Sequence, residues 1–283
     1  MKYLITLCAL AFAVQLQAQK VVDKAIIKMK TETTFPENFN PGGGDGGGGG
    51  GGFQMPREIE ANTTVWYKGK FTKMENQSDF GTSQTIIDRD AKKTTTLMEA
   101  MGRKMGWYST EADQEAMEKR MDSSRAARRD SLEKLGLSFA RNEPEVTVGT
   151  ETKTIAGFTC KKAIIKTKGQ NGQVSETTVW FTPDFKMGEG YSLNSNSGGG
   201  GMMRMMGMTP QGLDKIDGFP MEYEIVRQNG MRVHMVVTKV QLDADIADKT
   251  FEIPKGYDIK PISEMGGPGG GGTRFRMGGG GNQ

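Results

Sequence analysis

Three glycine-rich blocks decide where this chain can fold and where it cannot. Pro41 to Gly52 is almost all glycine, Gly198 to Gly207 mixes glycine with methionine, and Gly266 to Gln283 is glycine-rich again. Segments of this composition bury too little apolar surface to offset their chain entropy. Residues 41–52 and 198–207 are therefore expected to be disordered loops inside one domain, because closure entropy grows slowly with loop length. Residues 263–283 are expected to form a disordered tail. The fold must then come from residues 21–262.

Between the blocks the dominant signal is alternation with β-forming residues. Lys24 to Thr33, Asn62 to Met74, Glu145 to Thr152, Phe158 to Lys168 and Gln173 to Thr182 all read as strands. Gln84 to Asp88 and Lys93 to Met98 read as hairpin arms around Asp88-Arg89-Asp90, and Lys168 to Gly172 as a turn. Asn229-Gly230, between Met221 to Gln228 and Met231 to Leu242, predicts a tight two-residue turn. One region reads as helix. Thr110-Glu111-Ala112-Asp113 resembles a capping box, and charged and small residues run on to about Arg141, with Leu132, Leu135 and Phe139 at helical spacing. The prediction is a mainly β chain with a helical excursion, an antiparallel sheet or open barrel. Thr-Thr-Val-Trp precedes both Tyr67 and Phe181, a small echo between two halves.

Lys2, the apolar run Leu4 to Val14 and the small residue Ala18 have the layout of a secretory signal peptide over residues 1–18. The expected location is periplasmic or extracellular. Cys8 falls inside that run and is expected to be discarded with it. No other run reaches the ~18 apolar residues of a membrane helix, so no transmembrane segment is expected. Cys160 is then the one cysteine left, and it reads as a small buried core residue rather than half of a disulfide.

Composition narrows the chemistry. One histidine, His234, and one mature cysteine cannot build an ordinary zinc site. No nucleophile elbow, P-loop or dinucleotide fingerprint accompanies them, so neither an enzyme nor a cofactor is expected. His234 sits in a strand pattern and reads as a solvated or hydrogen-bonded strand residue. A net charge of +3 over 283 residues argues against a nucleic-acid partner. The run Met202, Met203, Met205, Met206 and Met208 could hold Cu(I) or Ag(I) through soft thioethers, although Arg204 places a positive charge among them. Asp243, Asp245 and Asp248 lack the glycine and terminal glutamate of an EF-hand, and read as turn or cap residues.

A series of segments carries a resemblance. Ile155-Ala156-Gly157-Phe158-Thr159-Cys160-Lys161-Lys162-Ala163 comes first, then Val179-Trp180-Phe181-Thr182-Pro183. Gly218 to Tyr223, Thr238-Lys239-Val240 and Phe251 to Tyr257 follow, with Trp66 to Lys70 and Ile86-Ile87-Asp88 upstream. In this order they resemble an exported domain-of-unknown-function family of Gram-negative bacteria, itself similar to the lipoprotein-localisation carriers of the LolA/LolB-like group. The resemblance implies a curved antiparallel sheet, an unclosed barrel, with helix lying across its mouth. It also implies no catalytic residues, and acyl chains held in the concavity. On that reading a lipid or lipoprotein is the partner. Trp66, Tyr67, Phe158, Trp180, Phe219 and Tyr223 are the candidate lining, and the bland alternative is that they fill a core. A structural or interaction role for the glycine-rich segments is the remaining alternative.

Overall fold

The computed structural model describes residues 19–37, 56–134, 143–169, 173–188, 191, 209–227 and 230–265. Residues 1–18, read as a signal peptide, the three glycine-rich blocks and Met202 to Met208 lie outside these residues.

Strands β1 (Lys20–Val22), β2 (Lys24–Thr34), β3 (Glu58–Lys68), β4 (Phe71–Ser78), β5 (Gly81–Asp88), β6 (Lys93–Ala100) and β7 (Arg103–Thr110) precede helix α1 (Glu111–Glu133). Strands β8 (Glu145–Ile155), β9 (Phe158–Lys168), β10 (Val174–Thr182), β11 (Phe185–Met187), β12 (Phe219–Val226), β13 (Arg232–Leu242) and β14 (Asp258–Pro261) follow. Twelve strands form one sheet in the order β14-β7-β6-β5-β4-β3-β2-β13-β12-β10-β9-β8. Its edges, β14 and β8, are not paired with each other, so the sheet is curved and unclosed. β1 and β11 pair separately, in parallel.

The hairpins are legible locally. Gly69 takes φ 52° in the turn between β3 and β4, which splits the single strand expected over Asn62 to Met74. The β12–β13 turn is not the two-residue turn that Asn-Gly suggested. Arg227 N–H donates to the Met231 carbonyl and Gly230 N–H to the Arg227 carbonyl, leaving three residues with Gly230 at φ 84°. That is the three-residue pattern in which glycine supplies a left-handed bulge. At the start of α1 the capping box is reciprocal. Thr110 N–H donates to Asp113 Oδ2 at 2.8 Å and Asp113 N–H to Thr110 Oγ1 at 3.3 Å. The Thr110 backbone N–H, and after it the Thr110 hydroxyl donating to Asp113 Oδ2 at 2.7 Å, hold the Asp113 carboxyl below its ordinary range.

The sheet is covered on opposite faces in its two halves. On one face of β2, β3, β13, β12, β10 and β9 lie Ile27, Val65, Tyr67, Val233, Tyr223, Val179 and Ala163, all buried. The connection from β10 to β12 covers them with Phe185, Leu213, Ile216 and the half-buried Met187. On the other face, the segment after β13 crosses beneath β2 to β7. Ile246 and Phe251 pack there with Ile86 and Leu97, alongside Ile26, Trp66, Phe71, Tyr257 and Ile259. Phe251 stacks on Phe71 with centroids 5.4 Å apart. Lys68 Nζ pins the crossing, donating to the Ile246 carbonyl at 2.9 Å and to Asp248 Oδ1 at 2.5 Å. Asp243 takes φ 53° in the turn after β13 and pairs with Lys20, as a turn residue, whereas Asp248 pairs with Lys68 and does not cap the short helical turn Asp248–Phe251, whose N-cap is Ala247.

α1 meets the sheet through its first turn, where Gln114 Nε2 donates to Thr94 Oγ1 at 3.4 Å. Its later residues are exposed wherever their side chains are described. The stripe of Met117 and Met121 is too narrow to bind the helix down along its length. The chain between β10 and β12, rather than this helix, supplies the cover over the first face.

Candidate functional site

Alternation on a strand sends neighbours to opposite faces, so Trp66 and Tyr67 cannot line one surface. Tyr67 is buried in the first core, whereas Trp66 lies in the second with Lys73 Nζ 5.5 Å from its ring centroid. Trp180 repeats the arrangement. Val179 and Phe181 point into the core, and Trp180 lies opposite Glu222 and Lys162 with Lys153 Nζ 4.5 Å from its ring centroid. The six-residue lining is corrected accordingly. Trp66 and Trp180 face away from the other four, and the two halves share an in-out-in pattern with a lysine over each tryptophan.

The remaining four join the packed core. Tyr67 meets Tyr191 at 5.7 Å, Tyr191 meets Phe219 at 6.0 Å, Phe219 meets Phe185 at 5.1 Å, and Phe185 meets Phe158 at 5.2 Å. Tyr223 is 7% exposed, and burial pushes its phenol up to about 12. This aromatic chain fastens the covering segment to the sheet.

The same face continues over β4 to β7, where Gln114 of α1 reaches Thr94. The strand register there is regular and produces rows. Ile27, Val65, Met74, Thr85, Thr96 and Trp107 form one row, in that order across six strands. Tyr67, Thr72, Ile87, Thr94 and Ser109 form the next, and Asn76, Ser83, Met98 and Met105 the third. Burial alternates along the rows. Val65 is 0% exposed, whereas Met74, Ile87, Met105 and Trp107 are half-buried and Met98 is 39% exposed. Between the apolar groups runs a belt of buried threonines, Thr72, Thr85 and Thr94. Thr72 Oγ1 is buried without a hydrogen-bond partner. This surface is apolar, adaptable through its methionines, and carries neutral polar groups instead of charges. Reading from sequence missed it because Arg103 to Thr110 was not recognised as a strand. The alternation Met105-Trp107-Ser109 was the available signal.

The uncovered part of the opposite face, over β2, β13, β12 and β8, is a chain of ion pairs. Lys153–Glu222 at 2.7 Å leads through His234, 3.5 Å from Glu222 and 3.9 Å from Glu32, to Lys30 at 3.0 Å from Glu32 and 2.7 Å from Glu60. The hydrogen bond from Lys30 holds the Glu32 carboxyl below its ordinary range. This is a solvated strand face, and His234 sits in it between the Glu32 and Glu222 carboxylates. Among the described residues, no group of three His, Cys, Asp or Glu side chains is placed to hold a metal ion. The Met202 to Met208 thioethers lie outside the described residues.

Residues 53–257 match the family model described as Domain of unknown function (DUF4412), and the chain belongs to that family. No curated protein matches it. Among solved structures it is similar to PNGF-II in two space groups, C2 and P21, each at 14% identity with a TM-score of 0.34. The matches cover 84% and 86% of this chain but 31% and 33% of those, so the chain spans about a third of their length. It is also similar, at 9% identity and a TM-score of 0.24, to a structure described as an outer membrane lipoprotein-sorting protein domain from Vibrio parahaemolyticus. That match covers 83% of this chain and 91% of the other. No described helix is long and apolar enough to cross a membrane.

Proposed function

We propose that this chain is an exported, non-catalytic protein of the cell envelope that holds a hydrophobic ligand, a lipid or the acyl chain of a lipidated partner. The leader-like start of the sequence supports export. The observation that carries the ligand is the group of half-buried apolar side chains set in register with the buried core. The face that the chain covers itself over β2 to β9 continues over β4 to β7 as half-buried Met74, Ile87, Met105 and Trp107. An acyl chain laid there would remove those side chains from water, at about 25 cal/mol per Å² of apolar area.

Fluorescent fatty-acid titration in solution tests this reading, together with native mass spectrometry of protein purified from its own envelope fraction. Saturable probe binding that weakens at least tenfold in Trp107→Ala and is unchanged in Trp180→Ala supports it. Absence of probe binding, or equal loss in both variants, removes it.

A further inference from the structure

Charge on the β4–β7 face is sparse and sits at one end. From β4 to β6 every strand position that alternation turns to this face is neutral. On β7 the positions are Arg103, Met105, Trp107 and Ser109. The edge strand β14 adds Asp258 beside Met105 and Lys260 beside Trp107, and these two pair with each other at 3.4 Å. Behind them, on the opposite face, Glu99 and Lys104 pair at 3.5 Å.

Arg103 is the charge left over. Its cross-strand neighbour is Ala100, and among the described residues its guanidinium has no acid partner. Asp79, in the β4–β5 turn, has β6 between it and Arg103 and does not pair with it. A guanidinium in this position offers a planar fork that matches a carboxylate through two parallel hydrogen bonds.

The length of the face fits one chain. Ser109 lies six positions beyond Arg103 on β7, about 20 Å further at ~3.3 Å per residue. Half-buried Met105 and Trp107 lie between them, opposite Met98 and Thr96. At the Ser109 end the first turn of α1 comes down on the face, where Gln114 Nε2 donates to the Thr94 hydroxyl at 3.4 Å. The nearby cation at that end, Lys92, is taken by Glu111 at 2.6 Å. An acyl chain of one leaflet spans about 15 Å, half of a ~30 Å bilayer core. It therefore fits between the first turn of α1 and Arg103, with its tail toward the helix and its head at the arginine.

We propose that the ligand is a fatty-acid anion, and that Arg103 selects it by pairing with the carboxylate. This rests on the hydrophobic-ligand reading of the same face and adds a head group to the chain. Trp107 and the methionines take the chain whatever its head, whereas Arg103 responds to the charge alone. Parallel titrations with a fluorescent fatty acid and with its methyl ester, at a pH where the acid is ionised, test it. Arg103→Gln is expected to lower the ratio of acid affinity to ester affinity at least tenfold. Its ester affinity is expected to stay at the wild-type value, which also shows that the variant is folded. Arg103→Lys is expected to restore part of the ratio, because it keeps the charge without the planar fork. Trp107→Ala is expected to weaken acid and ester alike and leave the ratio unchanged. A ratio that survives Arg103→Gln overturns the role of Arg103 and leaves the ligand reading standing. Saturable binding of neither probe to the wild type overturns both.

Discussion

Leu97 fills the space that a side chain on Gly106 would need. A Cβ built there would lie 2.7 Å from Leu97 Cδ2 and 3.3 Å from Ile259 Cγ1. The bare backbone of β7 thus lets β6 and β14 close over one another from either side. Gly106→Ala is expected to destabilise the protein by about 1–3 kcal/mol through overpacking. It should also release β14. Urea unfolding with hydrogen exchange at Ile259 checks this, and an unchanged midpoint with protected β14 amides would refute it.

Phe251 fastens the segment after β13 beneath the sheet by stacking on Phe71. It is 8% exposed, so Phe251→Ala leaves a cavity between Phe71 and Ile246. A loss of about 3 kcal/mol is expected. Calorimetry reads the loss, and proteolysis between Ala244 and Tyr257 reads the local release. A variant that melts like wild type would show that this crossing contributes little.

The Tyr191 hydroxyl is buried with no hydrogen-bond partner among the described residues, and burial drives the phenol well above the ordinary tyrosine range. Its ring, not its hydroxyl, makes the contacts with Tyr67 and Phe219. Tyr191→Phe is therefore expected to be neutral or stabilising by about 1 kcal/mol, because it removes an unmet polar group. A clear drop in the unfolding midpoint would reveal a partner for the hydroxyl.

Cys160 is 0% exposed, and burial pushes its thiol up to about 11. The folded protein keeps the proton over a range in which the unfolded chain, near 9.0, releases it. Its contribution to stability is therefore complete below pH 9 and lost as pH rises through 11. Thiol reagents at neutral pH are expected to label the protein only after denaturation, and Cys160→Ala to flatten the alkaline fall in the urea midpoint. Rapid labelling of the native protein would contradict the burial.

The strands with strong alternation and clear turns were legible from sequence, because local propensity and packing agree there. β5, β6, β9 and β10 fall close to their expected limits. β7 was not, since Gly106 and the charged Arg103-Lys104 dilute its pattern and its alternation needs partners to be seen. β14 is four residues long and is specified by Gly106 and Leu97 rather than by its own sequence. The candidate surface suffered from a different limit. Aromatics were legible as important, but which face each one takes depends on register, and Trp66 and Trp180 fell on the far side. Methionine at Met98 and Met105 looked like ordinary filling until the cross-strand pairing brought the two together.

The pairing of β2 with β13 has a kinetic consequence. Residues 25–34 find their partner about two hundred positions later, at 232–242. A chain that emerges from its N-terminus holds β2 with one edge open through the making of everything between. Closing so long a loop is slow, and an unpaired strand edge invites pairing with other chains in the interval. The seam between β2 and β13 is thus the step at which folding of the whole sheet competes with aggregation.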